Sequence, residues 1–201
     1  MLARLAGTWS LVVVAGVLGC GSNQNQAAAA PACEAAEGDL PMDATAQTWA
    51  GEYRLVMVAT LGDSAGRSVT GTMQLEVQSE ELQVPPMGSA DDGTRMLLYG
   101  STDIDLRTIL AVEVGALDSD DPLAPGVLVI ERAVELDGGS STEITIRLGS
   151  EANRRGVTRF DGGYTALFVR QASTGGFAGN WASGVTGQLS SGHFCASKAD
   201  H

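Results

Sequence analysis

Beyond residue 50 the chain alternates apolar and polar side chains with a period of two. Met73, Leu75 and Val77 share one phase, and Thr72, Gln74, Glu76 and Gln78 share the other. Ile144, Ile146 and Leu148 alternate in the same way with Glu143, Thr145 and Arg147. Tyr53 and Leu55 alternate with Glu52 and Arg54 before a more apolar run, Val56, Met57 and Val58. This period is that of half-buried strands. Further strand candidates lie at 95–100, 107–114, 126–136, 163–171, 176–182 and 192–196. Clusters of Gly, Asp and Ser separate them, among them 62–66, 91–93, 137–139 and 161–163, and such clusters turn the chain. No stretch after residue 50 carries three turns of helical periodicity.

Eight or nine antiparallel strands with short connections must bury one face. The expected fold is therefore all-β, an antiparallel up-and-down barrel of about eight strands, with a two-sheet sandwich as the alternative. The apolar phase predicts an interior of Tyr53, Leu55, Met57, Met73, Leu75, Val77, Ile144 and Ile146. A slip of one residue would turn Glu52, Arg54 and Glu76 inward, which is costly without partners. A barrel of this kind resembles the lipocalin-like or calycin architecture. That resemblance implies a small apolar ligand held by the interior residues. The hallmark of that family is Gly-x-Trp on the first strand. Here Trp49, Ala50 and Gly51 reverse the order, and Gly179, Asn180 and Trp181 have the spacing near the opposite end of the chain.

The first thirty residues differ from the rest. Arg4 precedes an uncharged apolar run from Trp9 to Gly19, too short to span a bilayer and suited to a secretion signal. The run ends in Val17, Leu18, Gly19 and Cys20, which resembles the lipobox of bacterial lipoproteins. The resemblance implies cleavage before Cys20, lipidation of its thiol and, with Gly21 next, an outer-membrane address facing the periplasm or the exterior. Residues 21–31 are rich in Asn, Gln and Ala and read as a tether. Ordinary secretion with cleavage within 27–30 is the competing reading. The expected organisation is a signal at 1–19, a lipid-anchored flexible linker at 20–46 and the barrel at 47–201.

Composition narrows the function. The formal net charge is −12, and loss of 1–19 removes only Arg4, leaving 11 basic against 24 acidic side chains, or −13. Such a surface repels phosphate backbones, so nucleic acid is an improbable partner. With Cys20 lipidated, Cys33 and Cys195 are left as a pair in an oxidising compartment. A bridge between them would join the two ends of the domain. The alternative is a thiol or metal site of Cys195 and His193, for which two ligands are too few for zinc.

The candidate chemistry is sparse. Gly62, Asp63, Ser64, Ala65 and Gly66 match the Gly-x-Ser-x-Gly pattern of serine hydrolases, which needs a strand, a sharp turn and then a helix. The residues that follow read as a strand, so a hairpin loop is the simpler account. A hydrolase using Ser64 and His193 is the enzymatic alternative. Asp118, Asp120 and Asp121 could gather calcium, but Pro122 and Leu123 break the EF-hand pattern, and the connection is long enough to form a lid over a barrel mouth. Asp103 and Asp105 alternate with Ile104 and Leu106 and fit the outer face of a strand. Arg154, Arg155 and Arg159 form a basic cluster without aromatic interleaving. No metal or cofactor is expected. The leading expectation is a non-enzymatic binding or interaction domain displayed on the cell envelope, for a small apolar ligand or an envelope protein. A purely structural envelope lipoprotein is the remaining alternative.

Overall fold

The computed structural model describes residues 33–38, 40, 44–79, 94–110, 114–136, 139–149, 165–185 and 188–199. Eight strands form one closed antiparallel barrel in up-and-down order. They are β1 (Gly51–Leu61), β2 (Ser68–Val77), β3 (Thr94–Thr102), β4 (Val127–Leu136), β5 (Gly139–Leu148), β6 (Thr165–Ser173), β7 (Gly176–Val185) and β8 (Gln188–Lys198). β1 pairs with β2 on one edge and β8 on the other, which closes the cylinder. The expected signal at 1–19, the expected tether at 21–31, Cys20, the arginine cluster at 154–159 and His201 lie outside the described residues.

The alternating phase selects the inside. Tyr53, Leu55, Met57, Met73, Leu75, Ile144 and Ile146 are all buried in one continuous core. Val77 is a correction: it is 47% exposed. It is the last residue of β2, beyond the pairing with β1 and held by Leu98 of β3 alone, and out-of-phase Gln78 is buried instead. The candidate strand at 107–114 is also corrected. Leu106–Thr108 forms a single 3-10 turn, with Asp105 accepting the Arg107 N–H at 3.2 Å as its cap. A side-chain cap at the end of a strand competes with extended backbone and stops it.

The interior is filled. Leu55, Met57, Met73, Leu75, Leu98, Ile144, Ile146, Phe177, Trp181 and Phe194 are each no more than 1% exposed. A void able to hold water would leave surface on its walls, so these side chains pack against one another. An eight-stranded barrel is just wide enough to be filled by side chains. Glycines make room for the largest. Inward-phase glycines stand opposite large residues on adjacent strands: Gly71 opposite Leu55, Gly100 opposite Leu75, Gly179 opposite Phe194 and Gly192 opposite Trp181. At Gly192 a Cβ would run into the Val58 carbonyl oxygen. The Trp181 indole N–H donates to that same oxygen at 3.1 Å, beside a register shift between Ala59 and Leu61.

Residues ahead of the first strand also pack on the barrel. Cys33 and Cys195 are disulfide-bonded, with Cα atoms 5.0 Å apart. Ala36, Leu40 and Ala46 are buried, although all three fall within the expected linker. Cys33, Ala36, Ala178, Cys195 and Val56 pack together on the outer face of β1, β8 and β7. Small side chains in an Ala-rich stretch give no periodic signal, yet they fit closely over a sheet. The described residues between Cys33 and Trp49 thus form a strap against the barrel.

Candidate functional site

Both mouths of the barrel are closed by chain that is not strand. At the lower mouth, where β1 begins, the strap ends in a 3-10 turn, Ala46–Trp49. Thr45 caps it, accepting the Gln47 N–H at 3.3 Å, and the Ala46 N–H donates to Glu131 Oε2 at 3.2 Å. Trp49 stacks on Phe177 with ring centroids 4.7 Å apart, and Phe177 meets Tyr53 at 5.0 Å and Phe194 at 6.3 Å. Burial pushes the Tyr53 hydroxyl above its ordinary pKa of 10.0, because the anion loses its water.

Beside this mouth the wall is parted. β5 and β6 pair only from Thr145 with Phe168 to Leu148 with Thr165. A register shift between Val169 and Gln171 against β7 marks where they diverge, as a bulge sharpens local twist. Leu40 of the strap borders a cleft of about 200 Å³ in this seam, between Thr142 and Glu143 of β5 and Arg170 of β6.

At the upper mouth the connection from β3 to β4 folds over the core. Ile104, Leu106 and Ile109 are buried in it, and Leu110, Val114 and Leu117 pack against it half-buried. Thr102 anchors the connection: its N–H donates to Leu117 O at 2.7 Å and its hydroxyl to Thr72 O at 2.6 Å. Asp103 Oδ1 accepts the Thr72 N–H. The two carboxylates at 103 and 105 are therefore backbone caps in a connection, both exposed, and not the outer face of a strand. The connection encloses a cleft of about 790 Å³. Leu110, Val114 and Leu117 give it apolar wall, and Asp103, Asp105, Asp118 and Arg107 give it charge. The volume falls within the range of binding clefts.

The serine and histidine residues are accounted for otherwise. Ser64 sits in the hairpin loop between β1 and β2, where Gly62 at φ 92° and Gly66 at φ 85° supply the left-handed backbone that the turn requires. Strands lie on both sides of it, so the helix of a nucleophile elbow is missing from this motif. His193 points outward on β8, opposite Val58 and Asn180. Cys195 is consumed by its disulfide and offers no thiolate beside His193. Asp121 accepts the Leu123 N–H at 2.9 Å, an Asx-type turn that organises the acidic loop. Among the described residues no three His, Cys, Asp or Glu side chains are grouped to hold a metal.

Sequence reasoning missed the strap and the two plugs. Trp49 just ahead of the first strand, and the spacing of Ile104, Leu106 and Ile109, were the available signals. The class of protein that results is a packed eight-stranded up-and-down barrel with both mouths sealed by its own chain. The chain matches no protein family, no curated protein and no solved structure.

Proposed function

We propose that this protein is a non-enzymatic interaction module, displayed on a bacterial cell envelope by a lipid on Cys20. The observation that carries the interaction reading is the filled interior. Tyr53, Leu55, Met57, Met73, Leu75, Ile144 and Ile146 touch one another where a cargo would have to lie, and both mouths are closed. A domain with such a core works through its outside, and the upper cleft is a concavity of that outside. The anchor reading rests on the apolar run that ends at Cys20 and on the Asn- and Gln-rich stretch after it. The cross-domain disulfide fits an oxidising compartment outside the cytoplasm. The outer membrane, facing the periplasm or the exterior, is the proposed location.

The test is metabolic labelling with a clickable fatty acid, followed by fractionation and mass spectrometry of the N-terminus. The expected result is a labelled membrane protein that begins at Cys20, and loss of label in Cys20→Ala. A soluble, unlabelled protein that begins near Ala30 would overturn the anchor.

A further inference from the structure

We infer that the upper cleft is a docking site for an extended, cationic segment of a partner protein that inserts an apolar side chain as its anchor. The inference rests on the reading of the domain as an interaction module and names the partner's chemistry. Three observations converge on it. The first is shape: about 790 Å³ is far more than one side chain fills, and the half-buried Leu110, Val114 and Leu117 offer apolar wall to an anchor. The second is charge. Asp103, Asp105 and Asp118 outnumber Arg107 in the cleft. Among the described residues, the connections at this end (62–67, 103–110 and 114–126) hold six Asp (63, 103, 105, 118, 120 and 121) against two Arg (67 and 107). The third is exposed apolar surface at the same end. Leu61 is 54%, Leu123 70% and Leu189 49% exposed, and among the described residues Val77 is the one large exposed apolar side chain at the other end.

Charge complementarity decides the occupant. A second copy of this chain would bring a net charge of −12 and the same acidic rim, so like charges would meet. An anionic lipid surface is repelled for the same reason. A basic segment gains steering toward the rim and places its apolar residue on the leucine wall, which combines a fast encounter with a desolvated anchor. Asp103 and Asp105 already accept backbone N–H groups, which holds the carboxylates at the rim in place without neutralising them.

The test uses the full-length chain in mild detergent with three labelled decapeptides: alternating Lys and Leu, alternating Lys and Ser, and alternating Glu and Leu. Fluorescence anisotropy gives affinities, and amide-shift mapping gives the location. The Lys–Leu peptide is expected to bind with shifts centred on residues 102–118, at least about tenfold more tightly than Lys–Ser, with no binding of Glu–Leu. The Asp103→Asn, Asp105→Asn, Asp118→Asn triple variant keeps side chains able to accept the same backbone bonds. It is expected to bind Lys–Leu at least about tenfold more weakly, and salt is expected to weaken binding to the native chain. Circular dichroism and an intact disulfide verify that the variant folds. Absence of Lys–Leu binding, shifts that map elsewhere, or equal affinity for Lys–Ser each overturns the inference, the last by showing unspecific charge attraction. An unlabelled protein that still binds Lys–Leu at the cleft would sink the anchor alone. A lipid-anchored protein that ignores the peptide would sink the docking site alone.

Discussion

The two mouths of the barrel solve one problem by opposite means. A rolled sheet leaves an apolar core open at both ends, and each end needs a cover. The lower cover is distant in sequence from most of what it touches. The strap begins at Cys33, is bonded to Cys195 across a separation of 162 residues, and finishes with Trp49 on Phe177. The upper cover is local, since the described residues 103–110 and 114–126 lie between β3 and β4 in sequence and fold over the core between those strands. A local cover closes a short loop and loses little chain entropy, whereas a distant one must overcome a larger loss. The disulfide is the compensation at the lower end. The large cleft lies within the local cover. A cross-link secures one cover, and a concavity opens in the other.

The largest expected effect tests the stapled end. Replacing Cys33 and Cys195 together by Ala removes a cross-link over a long loop and is expected to cost up to about 5 kcal/mol in a urea titration. A loss below about 1 kcal/mol would show that the strap holds without its staple, and the contrast between the mouths would fail. Next come paired truncations, one at each mouth. Phe177→Ala strips the ring that Trp49, Tyr53 and Phe194 all meet and is expected to cost about 3–5 kcal/mol. Leu106→Ala, under the upper cover, is expected to cost about 2–4 kcal/mol. Hydrogen exchange sharpens the pair: Phe177→Ala should loosen residues 44–50, and Leu106→Ala should loosen 102–118 instead.

A smaller effect concerns the wall between the mouths. Trp181→Phe keeps a ring over Gly192 but leaves the Val58 carbonyl without the indole N–H, for an expected loss of about 1–3 kcal/mol. The smallest is a pH dependence confined to the lower mouth. Tyr53 has its folded-state pKa raised above 10.0 by burial, so below pH 10 it is neutral in both states and stability is independent of it. Above pH 10 the unfolded chain gives up the proton more readily than the folded one, and stability falls as pH rises. Tyr53→Phe should flatten that fall in alkaline unfolding curves, and an unchanged slope would show that the hydroxyl is reached by water.

Much of the barrel was legible from its residues. Alternation named the phase, and seven of the eight interior residues it selected are in the core because a one-residue slip would bury Glu52, Arg54 and Glu76. Val77 failed because the end of a strand is decided by where its neighbours stop. The Cys33–Cys195 bond was legible because few thiols were left to pair. The candidate site was much less legible. Its wall comes from Leu110, Val114 and Leu117, which read as part of a strand or as loop residues until the connection is seen folded over the mouth.

What the chain alone determined are those properties carried by neighbours in sequence: the period of two, the turn glycines at 62 and 66, and the acidic balance of the surface. What only the tertiary structure decided are the properties that need partners far apart in the chain. A strap looks like a tether until Ala36 and Leu40 find the outer wall and the seam between β5 and β6. A glycine on a strand looks like a defect until Trp181 lies opposite it. Whether the barrel is hollow or full depends on the summed volume of side chains from eight strands in a cylinder whose width is set by strand number and tilt, and no local pattern contains that sum.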